Sequence, residues 1–174
     1  MDMEDIEITF SFRKDEELDI MDGHGEVSLI TEEDLVKIGL IHFNYYNGYV
    51  FEDLIDLQII SDAISGDELY MLSELTGEQL LEGSQLITLD RVIIEKEFES
   101  EELEKDILKK FIEDCRYFMF DTILVIASNP INPSKDQKVL EFPKYKLYSE
   151  LNFYPIGGSD KKTPVMLKNL HLKG

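Results

Sequence analysis

A run of glutamates lies where a chain with this pattern would normally hold a phosphate group. Leu86–Ile94 is a nearly continuous apolar run that predicts a buried strand, and a helix is predicted to begin near Ser100. In strand–helix–strand units, anionic ligands usually bind beside the carboxyl end of the strand, where the helix N-terminus presents free amides. Carboxylates occupy that place here, on Glu95, Glu97, Glu99, Glu101, Glu102 and Glu104. The role of these carboxylates is the main question about function.

The composition limits the kinds of partner that the chain can bind. The 174 residues carry a formal net charge of −20, which repels free nucleic acid and anionic membranes. A basic protein partner or a cationic substrate is compatible with this charge, although a well-solvated acidic surface is the simpler interpretation. The length and apolar content predict a single domain over residues 1–174. The acidic amino terminus has no apolar run, so we expect no signal peptide, no membrane span and a cytoplasmic location.

Several common catalytic patterns are absent from the sequence. The single cysteine, Cys115, falls on the apolar face of the predicted helix, which indicates a buried structural thiol and excludes an internal disulfide. His24, His42 and His171 show neither metal-ligand spacing nor the order of a catalytic triad, so no metal site is predicted. The chain has no phosphate-binding loop of the Gly-x-x-x-x-Gly-Lys type and no dinucleotide fingerprint.

The second half of the chain is predicted to alternate between strands and helices. The helix after the first buried strand has one apolar face, formed by Leu103, Ile107, Leu108, Phe111, Ile112 and Cys115. Ile123–Ala127 is a second buried strand, and two such strands joined by one helix predict a parallel pair. A last helix over Pro143–Leu151 and two closing strands, Phe153–Gly157 and Val165–Leu167, complete the pattern.

The first half predicts an antiparallel start followed by helices. Alternating apolar residues indicate a strand over Ile6–Phe12, and the Asp22–Gly25 segment is interpreted as the turn before a second strand. Thr31–Asp34 fits either a helix start or a short turn, and Ile38–Tyr46 is a third strand. The segment Glu52–Glu82 is mostly helical, with a capping box in which Ser65 caps the helix and Glu68 reaches back. Together the elements predict a mixed α/β sheet of about six to seven strands with helices on both faces.

The order of these elements resembles the GNAT superfamily of acyl-CoA-dependent N-acetyltransferases. Tyr148-Ser149-Glu150-Leu151-Asn152-Phe153 is similar to the family's Tyr-x-x-Leu-Gly-Phe helix end, and Ile87–Ile94 resembles the strand that precedes the coenzyme loop. The helix to Phe120 and the strand Ile123–Ala127 fit the elements that come next in the family. The resemblance extends from Ile87 to Gly157 and implies acetyl-CoA as the cofactor.

The resemblance also implies roles for particular residues. Tyr148 matches the tyrosine that protonates the departing thiolate in many family members, and a packing role for this aromatic ring is equally compatible. Asp90 and Glu95 flank the strand end and could accept a proton from an amine through water, although such carboxylates are more often only solvated. The expected coenzyme contacts are Ile93, Ile94, Glu99, Ser100, Glu101, Glu102, Leu103, Glu104 and Asn129.

The coenzyme loop departs from the family pattern. The signature Gln/Arg-x-x-Gly-x-Gly/Ala falls on Glu99–Glu104, which contains no glycine and places an acid at the basic position. Glycines let backbone amides approach a pyrophosphate, whereas carboxylates repel it. A simpler interpretation is that Ser100 caps the helix and the glutamates engage its dipole, each by roughly 0.3–1 kcal/mol.

Three functions therefore stay open from the sequence. The first is an N-acetyltransferase that uses acetyl-CoA and a cationic amine such as a polyamine, an aminoglycoside or a lysine side chain. The second is a non-catalytic protein of the same fold that binds a basic partner. The third is an acidic mimic of nucleic acid. The loop Glu99–Glu104 counts against the first, and fold resemblance alone does not define a site.

Overall fold

The fold is a single twisted sheet with helices packed against it. The structure, a computed structural model, describes residues 5–77, 79–80, 83–127, 142–157 and 163–171. The strands are β1 Ile6–Asp15, β2 Ile20–Ile30, β3 Leu35–Asn47, β4 Gln85–Ile94, β5 Thr122–Ile126, β6 Tyr154–Gly157 and β7 Val165–Asn169. The helices are α1 Leu54–Ile64, α2 Gly66–Ser73, α3 Glu101–Tyr117 and α4 Tyr145–Glu150, with a short 3-10 turn at Lys96–Phe98.

The seven strands follow the order β1-β2-β3-β4-β5-β7-β6. The strands β1 to β4 pair antiparallel, β4 and β5 pair parallel, and β7 lies antiparallel between β5 and β6. The parallel pair results from the crossover through α3, because parallel neighbours need a long connection. The predicted mixed sheet of six to seven strands is confirmed, as is the parallel arrangement of the two buried strands.

Helices cover both faces of the sheet, as predicted. Successive strand residues point to opposite faces, so Ile87 packs in the core beneath α3 and α4, whereas Leu86 packs in the core beneath α1 and α2. The predicted apolar face of α3 is confirmed, since all six of its residues are buried. Cys115 is fully buried within this core, and burial raises the pKa of its thiol, which fits the structural role predicted for it.

The predicted turn at Asp22–Gly25 is wrong, because the segment lies inside β2. The chain turns earlier, between Asp15 and Ile20, where the Asp15 carboxylate accepts hydrogen bonds from the amides of Glu17 and Leu18. The glycine in β2 serves packing instead of turning, since a Cβ on Gly23 would lie 2.3 Å from Cε2 of Phe43. A glycine within a strand often marks such a close approach.

Other boundaries differ in detail from the sequence predictions. Of the two alternatives for Thr31–Asp34, the structure shows the short turn. Thr31 Oγ1 donates a hydrogen bond to the carbonyl of Asp34. The last helix is shorter than predicted, spanning Tyr145–Glu150. In the part of the chain that the structure describes, no helix is both long and apolar enough to cross a membrane.

The capping box at Ser65 is only half formed. The Ser65 hydroxyl accepts a hydrogen bond from the Glu68 amide at 3.2 Å, which caps α2 as predicted. The Glu68 carboxylate does not reach back to Ser65, because it points into the sheet and accepts hydrogen bonds from Asn44, Tyr46 and Thr88. A residue that the sequence assigned to a cap is therefore a buried acid beneath β3 and β4.

Candidate active site

The sheet opens between β4 and β5. Their parallel pairing ends at Leu89 and Val125, after which β4 continues beside β3 and β5 continues beside β7. A bulge lies at this point, because Arg91 is opposite His42 and Leu89 is opposite Phe43, which leaves Asp90 as an extra residue. A bulge bends its strand and redirects a side chain. The bulge at Asp90 therefore coincides with the place where the two strands separate.

A cavity of about 280 Å³ lies at this separation. Its walls come from α2, from both strand ends and from α4, so it reaches elements on both faces of the sheet. Along β4 beyond Leu89, no described strand pairs with the side that faces β5, so that backbone edge is open to the cavity. The lining residues are Asp67, Met71, Leu89, Asp90, Arg91, Val92, Val125, Ile126, Ala127, Lys144 and Tyr148.

Tyr148 lies in the wall of this cavity on α4. Its side chain is only 4% exposed and its ring contacts that of Phe153 at a centroid distance of 5.4 Å. Burial, together with the negative charge of Glu104, raises the pKa of the phenol well above its ordinary value. The phenol therefore stays protonated at neutral pH.

The end of α4 fixes the position of Tyr148. The amide of Phe153 donates to the Tyr148 carbonyl at 3.0 Å, and the amide of Asn152 donates to the Ser149 carbonyl at 3.0 Å. This pair of bonds is a Schellman motif, which requires a left-handed residue after the helix. Asn152 takes that conformation with φ of 62°. The GNAT motif has glycine at this position, and glycine adopts the left-handed conformation with the least strain. Here asparagine adopts it instead.

The Schellman motif gives a test of the local structure. Asn152→Ala is expected to lower the free energy of unfolding by about 1 kcal/mol, because the alanine Cβ is strained in the left-handed conformation and alanine lacks the polar side chain that eases it. Asn152→Gly should not lower it, since glycine tolerates this conformation. Chemical denaturation measures both, with Ser149→Ala, at an exposed position of the same helix, as the control. Equal stabilities of the alanine and glycine variants would contradict the assigned conformation.

Asp90 belongs to a chain of hydrogen bonds that crosses three strands. Nδ1 of His42 lies 2.7 Å from Asp90 Oδ2, and Nε2 of His42 lies 2.6 Å from Asp22 Oδ1. Asp22 Oδ2 in turn lies 3.1 Å from Nε2 of His24. The Arg91 guanidinium donates to Asp90 at 2.8 Å. The bulge therefore presents Asp90 both to the cavity and to a histidine on the neighbouring strand.

The charges in this chain of hydrogen bonds support one another. Burial favours a lower pKa for His42, but hydrogen bonds to Asp90 and Asp22 outweigh it, so the pKa lies above the ordinary histidine value. Burial favours a higher pKa for Asp90, but hydrogen bonds from His42 and Arg91 outweigh it, so the pKa lies below the ordinary aspartate value. Asp90 is therefore ionised at neutral pH, and the hydrogen bonds from His42 and Arg91 hold its orientation.

The other predicted proton acceptor lies elsewhere. Glu95 comes directly after the end of β4, its amide donates to the Ile38 carbonyl at 2.7 Å, and its side chain is exposed. It is not among the described residues that line the cavity. The structure thus brings Asp90 and Tyr148 to one cavity and leaves Glu95 outside it.

The glutamates at the start of α3 differ in exposure and in pairing. Ser100 caps the helix, its hydroxyl accepting from the Leu103 amide at 3.1 Å. Glu99, Glu101 and Glu102 are exposed. Glu104 is half-buried and forms an ion pair with Lys144 of α4, which lines the cavity. The charge of Glu104 is therefore balanced by that of Lys144. The carboxylates that would repel a phosphate are those of the exposed glutamates.

The remaining predicted coenzyme contacts are distributed along this edge. The side chain of Ile93 is exposed, and that of Ile94 packs partly against the core beneath α3. The Leu103 side chain is buried in the same core, and its amide is already bonded to Ser100. Asn129 lies outside the described residues.

A buried carboxylate of α2 is hydrogen-bonded to side chains of β3 and β4. Glu68 is 1% exposed and accepts hydrogen bonds from the amide of Asn44 at 3.0 Å, from the hydroxyl of Tyr46 at 2.6 Å and from the hydroxyl of Thr88. Burial raises the pKa of Glu68, and the negative charge of Asp90 acts in the same direction, against these three donors. Sequence patterns gave no sign of this cluster, because its members come from α2, β3 and β4.

Comparison with known proteins identifies the fold. No protein-family model and no curated protein sequence matches the chain. Solved structures do match, including a mosquito arylalkylamine N-acetyltransferase-like protein, 5b, with a TM-score of 0.55 and 10% identity over 84% of this chain and 74% of that one. The chain has a GNAT-like fold.

Two further structures extend this similarity. Arylalkylamine N-acetyltransferase 2 from Aedes aegypti matches with a TM-score of 0.52 and 10% identity, over 84% of this chain and 73% of that one. The AHL synthase LasI matches with a TM-score of 0.52 and 7% identity, over 95% of this chain and 90% of that one. Identities this low establish the GNAT-like fold alone.

Proposed function

We propose that this protein transfers an acyl group from an acyl-CoA, with acetyl-CoA as the simplest donor, to the nitrogen of a cationic amine. The observation that carries the proposal is the cavity between the separated ends of β4 and β5, because Tyr148 and Asp90 both line it. The proteins that share the fold are, by their names, an arylalkylamine N-acetyltransferase, an arylalkylamine N-acetyltransferase-like protein and an AHL synthase. The proposal assigns the same general chemistry to this chain.

The cavity fits the reactive end of such a donor. A bound acyl-CoA would supply an activated thioester. The open edge of β4, beyond Leu89, offers backbone donors and acceptors to an extended chain that contains amides, as an added strand would use them. Val92 and Ala127 provide apolar walls beside this edge. Ile93 and Ile94 extend the same edge toward α3 and remain proposed contacts.

Two side chains would handle the protons of the reaction. Asp90 would accept a proton from the attacking amine, directly or through a water molecule, as a carboxylate held in place by His42. Tyr148 would donate its phenolic proton to the departing sulfur as the carbon–sulfur bond breaks. The amine nitrogen then holds the acyl group, and the resulting thiol carries the tyrosine proton. The acceptor attacks as the neutral amine, after its ammonium proton has passed to solvent, and the proton held by Asp90 returns through water to the Tyr148 phenolate.

The net charge of the chain favours a cationic acceptor. Asp67 and Asp90 line the cavity beside two cations, Arg91 and Lys144, so the formal charges of the lining balance. The chain as a whole carries a formal charge of −20. A strongly negative molecule raises the local concentration of cations and speeds their association. A polyamine, an aminoglycoside or a lysine side chain fits this environment better than an anionic acceptor.

The phosphate end of the coenzyme would meet a less favourable surface. Glu101 and Glu102 are exposed in the first turn of α3, although the helix dipole there still attracts anions. Two cations line the cavity, but each already has an acidic partner: Arg91 pairs with Asp90, and Lys144 pairs with Glu104. We therefore propose weak, salt-dependent coenzyme binding in which the glutamates lower affinity without preventing it.

The experiment that tests this function is an acyl-transfer assay. Purified protein is mixed with acetyl-CoA and a polyamine, an aminoglycoside or a lysine-containing peptide, and the released thiol is detected with a disulfide reagent. The protein itself should not react with the reagent, because Cys115, the one cysteine of the chain, is fully buried. We expect acceptor-dependent thiol release with at least one cationic amine. Thiol release at the background rate with all of them would contradict the proposal.

One observation favours a second candidate, a non-catalytic protein that binds a basic partner. The exposed glutamates at the start of α3, together with the high negative charge, form a surface suited to lysine-rich or arginine-rich segments. This candidate predicts binding of a basic peptide in the absence of any acyl transfer. The two functions are therefore separated by the same assay, run with the peptide as acceptor and followed by a binding measurement.

A further inference from the structure

A second group of polar side chains lies on β2 and β3, next to Asp90. His24 and His42 are directly opposite each other in the antiparallel pair, and Asp22 lies two residues before His24 on the same face of the sheet. Both Nε2 atoms point at the Asp22 carboxylate, at 3.1 Å from His24 and 2.6 Å from His42. The exposed fraction of the side chain is 25% for Asp22, 41% for His24 and 21% for His42, so solvent reaches the cluster.

We propose that Asp22, His24 and His42 bind a divalent transition-metal ion such as Zn²⁺. One ligand atom from each residue lies within 4.8 Å of the others. Two imidazole nitrogens and one carboxylate form a three-ligand set that leaves coordination positions open to water or to another ligand. This site goes beyond acyl transfer and does not rest on it, because none of the three residues lines the cavity.

The strands hold these ligands in place. All three residues lie within paired segments of β2 and β3, where the backbone is fixed by hydrogen bonds on both sides of β2. Sites built on such elements keep their geometry better than sites built on loops. Ligands of one Zn²⁺ ion lie about 2.0–2.2 Å from the metal, and so about 3.3 Å from each other. The Asp22–His42 pair, at 2.6 Å, must open to admit the ion, while the widest pair of ligand atoms in the cluster, which lie within 4.8 Å of one another, must draw closer.

Asp90 orients one of the ligands. Nδ1 of His42 lies 2.7 Å from Asp90, so a proton on Nδ1 would leave the Nε2 lone pair directed at the proposed ion. A carboxylate behind a metal-binding histidine is the usual second partner in protein metal sites. The same residue would thus face the cavity and support the metal site from behind.

A proton can take the place of the metal in this cluster. In the absence of an ion, an imidazolium of His42 bridging Asp22 and Asp90 satisfies the same hydrogen bonds. Arg13, 4.0 Å from Asp22, adds a further positive charge, but its side chain is 84% exposed and can move aside. The experiment must therefore distinguish a metal site from a proton-bridged cluster.

The test is a titration of metal-free protein with ZnCl₂ by calorimetry and with CoCl₂ by visible absorption. We expect one bound ion per chain and a cobalt spectrum that changes on binding. His24→Gln and His42→Gln should each weaken binding at least about tenfold, and Asp90→Asn about 10–100-fold, since outer partners have effects of that size. His171→Gln, which removes an exposed histidine paired with Asp121, is the matched control and should leave binding unchanged.

Thermal unfolding gives a second measurement that does not depend on activity. Zn²⁺ should raise the unfolding midpoint of the wild-type protein and of the His171→Gln variant equally, and that of His24→Gln by clearly less at the same Zn²⁺ concentration. His24 is the most exposed of the three ligands, so its replacement is expected to preserve the fold. No binding by folded wild-type protein, or equal affinity in the His24→Gln variant, would overturn the metal site and leave the proton-bridged cluster. Neither result bears on acyl transfer, which is measured separately.

Discussion

Tyr148→Phe is expected to lower the turnover of acetyl-CoA by about a hundredfold or more, because general acid catalysis usually contributes 10²–10⁴-fold. The affinity for acetyl-CoA should change little, since the phenylalanine ring keeps the packing against Phe153 and only the proton donor is lost. The turnover number and the Michaelis constant are measured in the thiol-release assay. This split between the two constants is the result expected for the loss of a proton donor.

The neighbouring tyrosine provides the control. Tyr145 lies at the start of the same helix and is not among the residues that line the cavity. Tyr145→Phe removes an equivalent hydroxyl and should leave turnover nearly unchanged. If Tyr148→Phe turned over as fast as the wild type, Tyr148 would be a packing residue, and the proton donor would have to be another group.

Glu68→Ala is expected to lower the free energy of unfolding by about 3 kcal/mol or more. The substitution leaves three buried donors, on Asn44, Tyr46 and Thr88, without their acceptor, and each unsatisfied group costs roughly 1–3 kcal/mol. Chemical denaturation at neutral pH measures the change. Glu113→Ala, at an exposed position of α3, is the control and should stay within about 0.5 kcal/mol of the wild type. A similar small change for Glu68→Ala would contradict the buried network.

The same residue should make stability depend on pH. Burial raises the pKa of Glu68 above its ordinary value of 4.5, so the folded state binds the proton more tightly than the unfolded state does. Its stabilising contribution is therefore complete below about pH 4.5 and is lost as the pH rises through the raised pKa. Glu68→Gln cannot titrate, so its stability relative to the wild type should increase across this range. A constant difference at all pH values would contradict the raised pKa.

Local patterns in the sequence were sufficient for the centre of the fold. The long apolar run of β4 and the apolar face of α3 depend on residues close in sequence, and both agree with the structure. The motif that ends at Phe153 is also local, and its Schellman geometry fits the resemblance, with Asn152 in the place of the motif's glycine. Tyr148 could therefore be placed on the correct helix from the sequence alone.

The rest of the site depends on pairings that sequence periodicity does not encode. The bulge at Asp90 adds one residue to β4, and only the register with β3 reveals it. His24 and His42 meet because β2 and β3 pair in one particular register, and the glycines around His24 misleadingly indicated a turn. Glu68 carries the signature of a helix cap, yet tertiary contacts with Asn44, Tyr46 and Thr88 direct its carboxylate inward.

The ion pair between Glu104 and Lys144 changes how the acidic loop should be tested. Replacing Glu104 would leave Lys144 of the cavity wall without its partner, so a change in coenzyme affinity would have two causes. Glu101 and Glu102 have no such complication, because they are exposed in the first turn of α3. A double substitution at these two positions isolates the effect of the unpaired charges.

Binding of an acyl-CoA in the cleft between β4 and β5 is tested most directly by titration calorimetry with acetyl-CoA. We expect one weak site in the wild-type protein and roughly three- to tenfold tighter binding by Glu101→Gln/Glu102→Gln at low salt, with a smaller gain at high salt. The control, Glu32→Gln/Glu33→Gln, removes the same charge from an exposed turn and should bind as the wild type does. Absence of binding by all three proteins at millimolar acetyl-CoA would contradict the proposed coenzyme site.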